Sequence, residues 1–231
     1  MSSKLYGKRI SCNGDSICEG VGHPGGYVKI IAERCGMIYE NIGVGGGTVA
    51  GDFVVPSSGK ARHSISRTVQ DMDPDVDYAI VEGGVNDAAY FMQYGKPDFG
   101  EITSGYGGPF DDTTFCGGFE SMLRQLTVKY SGKKIGYIAP HQCAHKFRPQ
   151  YEGEDNFYRA ALKICEKWGV PYLDLTSSTP PMAFLRAKYE GSPELEAVSV
   201  GYTSNNDGTH PNLDGYVAFY CDRIEEWLKT L

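Results

Sequence analysis

The stretch 8-KRISCNGDSICEG-20 sets a Gly-Asp-Ser tripeptide directly after a short, mainly apolar run. Residues 8–13 have the pattern of a buried strand, so Gly14-Asp15-Ser16 would lie where that strand ends. Gly, Asp and Ser are common turn formers, and the tripeptide alone predicts only a turn. A serine at the end of a buried strand can also act as a nucleophile. The rest of the chain has to decide between these two interpretations.

Apolar runs and helix-like stretches alternate outward from this point. The pattern predicts strands at 8–13, 37–42, 77–82, 134–139 and 170–173, and helices at 26–35, 119–130, 155–168 and 213–231. Such alternation favours an α/β fold, a three-layer α/β/α sandwich whose mainly parallel sheet has about five strands. We expect one domain over residues 1–231, with an insertion loop at about 95–118.

Composition and charge exclude several classes of protein. The chain has 231 residues, of which 41 % are hydrophobic and 22 % charged, as in ordinary globular proteins. A formal net charge of −7 without a basic cluster argues against nucleic acid or an anionic membrane surface as partner. No run reaches the roughly 18–20 apolar residues that cross a bilayer.

The cysteines and the N-terminus predict a cytoplasmic location. Seven cysteines at irregular spacing, with no CxxC, are typical of free thiols in a reducing compartment. The N-terminal residues lack the apolar run of a secretory signal.

Three further polar, glycine-rich segments occupy positions equivalent to the first. GVGGGT (43–48) follows the second predicted strand, GGVND (83–87) follows the third, and DGTHP (207–211) precedes the closing helix. Because parallel strands end at one edge of a sheet, these loops are expected to meet there.

Together the loops supply the groups that acyl transfer needs. Ser16 needs a base to accept its proton, and His210 offers one. Asp207, three residues earlier, can fix the imidazole tautomer. The Ser16 N–H, a glycine N–H from 43–47 and the Asn86 amide can stabilise an oxyanion. Each motif alone favours a structural turn, whereas their joint occurrence favours catalysis.

These motifs resemble those of the SGNH (GDSL-type) hydrolases. The resemblance rests on NGDS at 13–16, NIGVGGGT at 41–48, GVND at 84–87 and DGTHP at 207–211. It implies a flavodoxin-like α/β/α fold and ester hydrolysis without a metal or organic cofactor. It also implies Ser16 as nucleophile, His210 as general base and Asp207 as orienting acid, with an oxyanion hole of Ser16, Gly46 and Asn86. Gly45 remains an alternative to Gly46, and Ile17 stands where the family usually has leucine.

Two further motifs match other kinds of site. GVGHPG at 20–25 matches GxGxxG, but Gly20 lies several residues beyond the strand and Pro24 interrupts the turn, which argues against a dinucleotide site. PHQCAH at 140–145 offers His141, Cys143 and His145 as metal ligands, but no second ligand cluster accompanies it. We expect a metal-free loop there, in which His141 and Gln142 line the substrate pocket. A solvated loop is an equal alternative.

The sequence therefore predicts a serine esterase that hydrolyses small acyl esters through an acyl-enzyme. Sixteen tyrosines, polar loops and no long apolar lid favour an O-acetyl group on a carbohydrate over a long-chain lipid. The predicted partner is a small-molecule ester. The alternatives are a lysophospholipase or thioesterase of the same fold, or a catalytically silent binding module.

Overall fold

A five-stranded parallel sheet forms the centre of the computed structural model, which describes residues 3–184 and 192–231. The strands are β1 (Arg9–Asn13), β2 (Ile38–Asn41), β3 (Tyr78–Glu82), β4 (Lys134–Ala139) and β5 (Tyr172–Asp174). Their order is β2-β1-β3-β4-β5, and every neighbouring pair is parallel. This confirms the predicted α/β fold. The order reverses between β1 and β3, the position where ligands bind in doubly wound sheets.

Helices cover both faces of the sheet. They are α1 (Ser16–Glu19), α2 (Gly26–Cys35), α3 (Ile65–Thr68), α4 (Val85–Tyr94), α5 (Phe115–Lys129), α6 (Phe157–Trp168), α7 (Leu175–Ser178), α8 (Pro193–Val200), α9 (Leu213–Tyr216) and α10 (Asp222–Thr230). A π-helical turn, Val217–Cys221, joins α9 to α10. Within the described ranges, no helix is long and apolar enough to cross a membrane.

Alternation along β3 divides the core into two clusters. Ala79 and Val81 point to the face packed by α3 to α6, whereas Tyr78 and Ile80 point to the face packed by α2 and the C-terminal helices. All five residues of β3 are buried, as expected for a central strand covered on both sides.

Helix α5 begins at Phe115, four residues before the predicted start, so the segment without helix or strand is 95–114 rather than 95–118. Thr114 caps the helix by accepting from the Gly117 N–H over 3.2 Å. Gly117 and Gly118 resemble loop residues in the sequence, but they allow close backbone packing. A Cβ at 117 would lie 2.1 Å from the Asp111 carbonyl oxygen.

The segment 95–114 packs beside α5 and α6. The ring of Phe99 packs against those of Phe115 and Phe157, with centroid distances of 6.2 and 5.0 Å. The ring of Tyr106 packs edge-on against Trp168 at 5.2 Å. These contacts attach the segment to the helical layer by its aromatic side chains.

Candidate active site

Ser16 begins α1 immediately after β1, at the carboxyl edge of the sheet. Asp15 caps the helix, since its Oδ1 accepts from the Ile17 N–H over 2.9 Å. Gly14 is required by packing, because a Cβ there would lie 2.6 Å from the Cys18 Cβ. Ser16 keeps 8 % of its surface exposed, while its neighbours are almost completely buried. The turn therefore directs this hydroxyl to the rim of the site.

Asp207 and His210 lie in one tight loop that Asp207 organises. Its Oδ1 accepts from the backbone N–H groups of Thr209 (2.8 Å) and His210 (2.9 Å), and its Oδ2 lies 2.5 Å from His210 Nδ1. Partial burial tends to raise the pKa of Asp207, but these hydrogen bonds outweigh it and hold the pKa below its usual value. The carboxylate is therefore ionised at neutral pH and orients the imidazole.

His210 reaches across the fold to Ser16. Its Nε2 lies 2.8 Å from the Ser16 Oγ, although the two residues are 194 positions apart. With Nδ1–H donated to Asp207, Nε2 has a free lone pair that can accept the serine proton. The three side chains predicted to act together thus form one hydrogen-bonded chain.

Potential oxyanion donors lie beside the serine. In the part of the chain that the structure describes, the N–H groups of Ser16, Gly45 and Gly46 have no hydrogen-bond acceptor. The Asn86 Nδ2 donates to the Gly47 carbonyl over 2.9 Å and, more weakly, to Asp15 Oδ2 over 3.3 Å. The amide therefore joins the two loops that carry Ser16 and Gly46.

Asp87 fixes the next part of the same glycine-rich loop. It is completely buried, and its two carboxylate oxygens accept from the N–H groups of Val49 and Ala50, each over 2.9 Å. Burial raises the pKa of Asp87 to about 7, and these hydrogen bonds oppose the rise. Asp87 thus holds the loop at Val49 and Ala50 in place.

His141 and Gln142 differ from the sequence expectation. Both are buried, at 0 % and 3 % exposure, so neither side chain lines an open pocket. His141 Nδ1 lies 2.5 Å from the Tyr220 hydroxyl, and its ring stacks on Phe184. Gln142 donates to the Thr176 carbonyl over 2.8 Å. Burial lowers the pKa of His141 to about 3, so it remains neutral behind the His210 loop.

A cavity of about 550 Å³ lies next to these residues. It is lined by α4 and by the loop after β4, namely Ala89, Met92, Gln93, Cys143, Ala144, His145 and Arg148. Ala89 lies almost one helical turn after Asn86. Burial, followed by the charges of Asp15, Glu82 and Asp207, raises the pKa of the Cys143 thiol. The cavity thus lies about one helical turn beyond Asn86, and Ser16, Asp207 and His210 are not among its lining residues.

Two residues that support the site, Gly22 and Glu82, do not belong to a recognisable catalytic motif. Gly22 belongs to the GxGxxG pattern, but a Cβ there would lie 2.1 Å from the Pro211 carbonyl oxygen. The glycine therefore permits close packing against the loop of His210. Glu82 is fully buried at the end of β3, and burial together with Asp15 raises its pKa well above the usual value. In the sequence, the burial of Glu82 is indicated only by the hydrophobic strand pattern that surrounds it.

The histidines and cysteine at 140–145 do not converge. His141 contacts Tyr220, whereas His145 Nδ1 lies 2.5 Å from an Arg148 guanidinium nitrogen. In residues 3–184 and 192–231, no group of three or more His, Cys, Asp or Glu side chains has an arrangement suited to a metal ion.

A family model decides the relationship of this chain to known proteins. The model of the GDSL-like lipase/acylhydrolase family matches residues 12–218, which include all four polar loops. The chain belongs to this family. It is accordingly a carboxylic ester hydrolase, and the resemblance found in the sequence is confirmed. A search of curated proteins finds no match.

Solved structures share the family fold over the whole chain. A Lactobacillus plantarum protein has a TM-score of 0.71 at 22 % identity, with 98 % of each chain covered. A GDSL-like lipase from Bacteroides uniformis has a TM-score of 0.61 at 17 % identity, covering 96 % of this chain and 95 % of its own. An acetyl xylan esterase has a TM-score of 0.56 at 15 % identity, covering 96 % and 100 %.

Proposed function

We propose that this family member is a serine esterase that hydrolyses small acyl esters, chiefly O-acetyl groups on carbohydrates, through an acyl-enzyme. The observation that carries the proposal is the hydrogen-bonded chain from Ser16 Oγ through His210 to Asp207, with distances of 2.8 and 2.5 Å.

The reaction begins when Ser16 Oγ attacks the ester carbonyl and its proton passes to His210 Nε2. Asp207 stabilises the resulting imidazolium without itself taking the proton. The N–H groups of Ser16 and Gly46, with the Asn86 amide, hold the oxyanion of the tetrahedral intermediate. His210 then protonates the leaving alcohol oxygen, and the acyl group stays on Ser16.

Water then releases the acyl group from Ser16 in a second half-reaction that uses the same side chains. It loses a proton to His210 Nε2 as it attacks the acyl-serine, and the second tetrahedral intermediate expels Ser16, which regains the proton. The acid leaves, and Ser16 and His210 return to their starting states. Both half-reactions use these side chains, the backbone N–H groups of Ser16 and Gly46, and water.

The cavity beside Asn86 supports a short acyl group and a polar alcohol. Its volume of about 550 Å³ suits a small ligand. Gln93, His145 and Arg148 bring polar groups into its lining, which favours sugar hydroxyls over a long aliphatic chain. The fold shared with an acetyl xylan esterase agrees with this class of substrate.

A substrate panel tests the proposal. Native protein and Ser16→Ala would be compared on p-nitrophenyl esters from acetyl to palmitoyl and on acetylated xylose. We expect acetyl esters to give the highest kcat/KM and Ser16→Ala to be inactive. A preference for palmitoyl would instead favour a lysophospholipase or thioesterase. Failure of a fluorophosphonate to label the native protein would favour the silent binding module.

A further inference from the structure

We infer that Arg62 forms an anion-binding subsite beside the Gly45–Gly46 turn and selects ester substrates that carry a carboxylate near the scissile bond. The inference rests on the proposed esterase function, because it concerns which esters reach Ser16. It assigns a ligand to a side chain that the acyl-transfer steps leave unused.

Arg62 contacts the turn that supplies the proposed oxyanion donors. A Cβ on Gly46 would lie 2.9 Å from Arg62 Nη1 and 3.2 Å from its Cζ. A Cβ on the adjacent Gly45 would lie 3.8 Å from the Ser16 Cβ. The guanidinium and the serine therefore flank the same dipeptide, and a ligand bound through Arg62 lies near the reacting ester.

The guanidinium has no acidic partner in the described part of the chain. No carboxylate of the described residues lies within 4.0 Å of it, and its Nε is buried without a hydrogen-bond acceptor among them. Arg67, five residues later, binds the carboxylates of Asp52 and Asp112. The Nε itself is enclosed by the protein, so an anion would bind the Nη nitrogens, which have no carboxylate partner among the described residues.

The position of Arg62 is fixed before any ligand binds. Its backbone N–H donates to the Phe53 carbonyl over 2.8 Å, and its guanidinium carbon lies 5.2 Å from the centroid of the Tyr90 ring. The ring of Tyr90 in turn packs on Phe53 at 4.9 Å. A cation held in this way loses little conformational freedom when it binds an anion.

The charges around the turn define what binds and on which side. A guanidinium presents a planar set of donors that matches a carboxylate. Glu19 lies on the Gly45 side, since a Cβ on Gly45 would be 3.0 Å from its Oε2. An anion is therefore favoured at Arg62 and repelled at Glu19. The carboxylate can belong to the acyl half or to the alcohol half of the ester.

Matched ester pairs measure this selectivity. For the acyl half, p-nitrophenyl hydrogen succinate is compared with its methyl ester. For the alcohol half, 4-acetoxybenzoate is compared with methyl 4-acetoxybenzoate. We expect the native protein to favour the anionic member of one pair, and Arg62→Gln to lower that kcat/KM ratio about tenfold, as expected for a lost charge-assisted hydrogen bond. Arg62→Lys should give an intermediate ratio.

Arg124→Gln is the matched control, because it removes one exposed charge from α5, and it should leave both ratios unchanged. An unchanged ratio in Arg62→Gln would overturn the inference. The ratio compares two substrates of one preparation, so partial misfolding does not affect it.

Binding to Ser16→Ala separates this inference from the esterase proposal. Calorimetry with N-(4-nitrophenyl)succinamate and 4-acetamidobenzoate, which are amide analogues of the two anionic esters, requires no turnover. If adding Arg62→Gln to the Ser16→Ala protein weakens binding of these amides about tenfold, the subsite is supported even if no ester is cleaved. Equal binding with and without Arg62 contradicts the subsite, while turnover of neutral esters leaves the esterase proposal intact.

Discussion

The side-chain amide of Asn86 donates to the carbonyl oxygen of Gly47 over 2.9 Å. This bond joins the start of α4 to the glycine-rich loop after β2. The same Nδ2 has a longer, weaker contact with Asp15 Oδ2 at 3.3 Å. We propose that the proton on that side is the one that an oxyanion at Ser16 attracts.

Asn86→Ala should lower kcat by about 10² to 10³, the cost of removing one oxyanion donor. Asn86→Asp keeps the size of the side chain but loses both donors, so it should be similarly impaired. The measurement is kcat on p-nitrophenyl acetate, with thermal unfolding as a check that the loops still pack. A folded Asn86→Ala protein with less than about a tenfold loss would remove Asn86 from the oxyanion hole.

Gly22 offers a second test, because it contacts the loop of His210 rather than the substrate. An added methyl group would collide with the Pro211 carbonyl oxygen at 2.1 Å and displace this loop. A displacement of about 1 Å can cost on the order of 10² in turnover, so Gly22→Ala should lose roughly that much kcat. Gly105→Ala is the control, since nothing lies within 4 Å of a Cβ there. Native kcat in a folded Gly22→Ala protein would show that the contact does not position His210.

The buried Glu82 predicts how stability depends on pH. Burial and the neighbouring Asp15 raise the pKa of Glu82 well above its usual value, so the folded protein holds this proton to a higher pH than the unfolded chain does. The unfolded chain releases the proton above about pH 4.3, and the free energy of unfolding therefore falls as pH rises beyond that value. Asp15, with its pKa raised to about 6 by burial, acts in the same direction.

Glu82→Gln should remove part of this dependence, because glutamine resembles the protonated acid and cannot ionise. We expect the variant to be more stable than the native protein at pH 8 and to differ less at pH 5. Thermal unfolding resolves the effect, since about 1 kcal/mol moves the Tm of a domain this size by roughly 2–4 °C. Glu101→Gln, on an exposed residue, is the charge-matched control. A destabilised Glu82→Gln protein at pH 8 would mean that Glu82 is folded in its ionised form.

The fold was predictable where the hydrophobic pattern was strong. Helix α2 and strand β4 have the predicted bounds, 26–35 and 134–139. Helix α4 was missed, because GGVND indicates a turn and its polar residues hide the helical spacing that follows. The start of α5 was missed for a related reason. Gly117 and Gly118 have low helix propensity, but they pack against neighbouring backbone where a Cβ would not fit.

The site was predictable to the extent that its groups lie in local motifs. Ser16, Asp207 and His210 are hydrogen-bonded as the motifs require. His141 was assigned to the pocket from its position after β4, but its direction depends on Tyr220, 79 residues away. Arg62 and Gly22 contact residues that are distant in the sequence. No local sequence pattern indicates such contacts.

The proposed mechanism requires Ser16 to carry the acyl group. The most direct test is a stopped-flow reaction of native protein with p-nitrophenyl acetate, quenched in acid and followed by peptide mass spectrometry. We expect a burst of nitrophenolate and one acetyl group on the peptide that contains Ser16, with neither in Ser16→Ala. Native-like turnover by a folded Ser16→Ala protein would show that Ser16 is not the nucleophile.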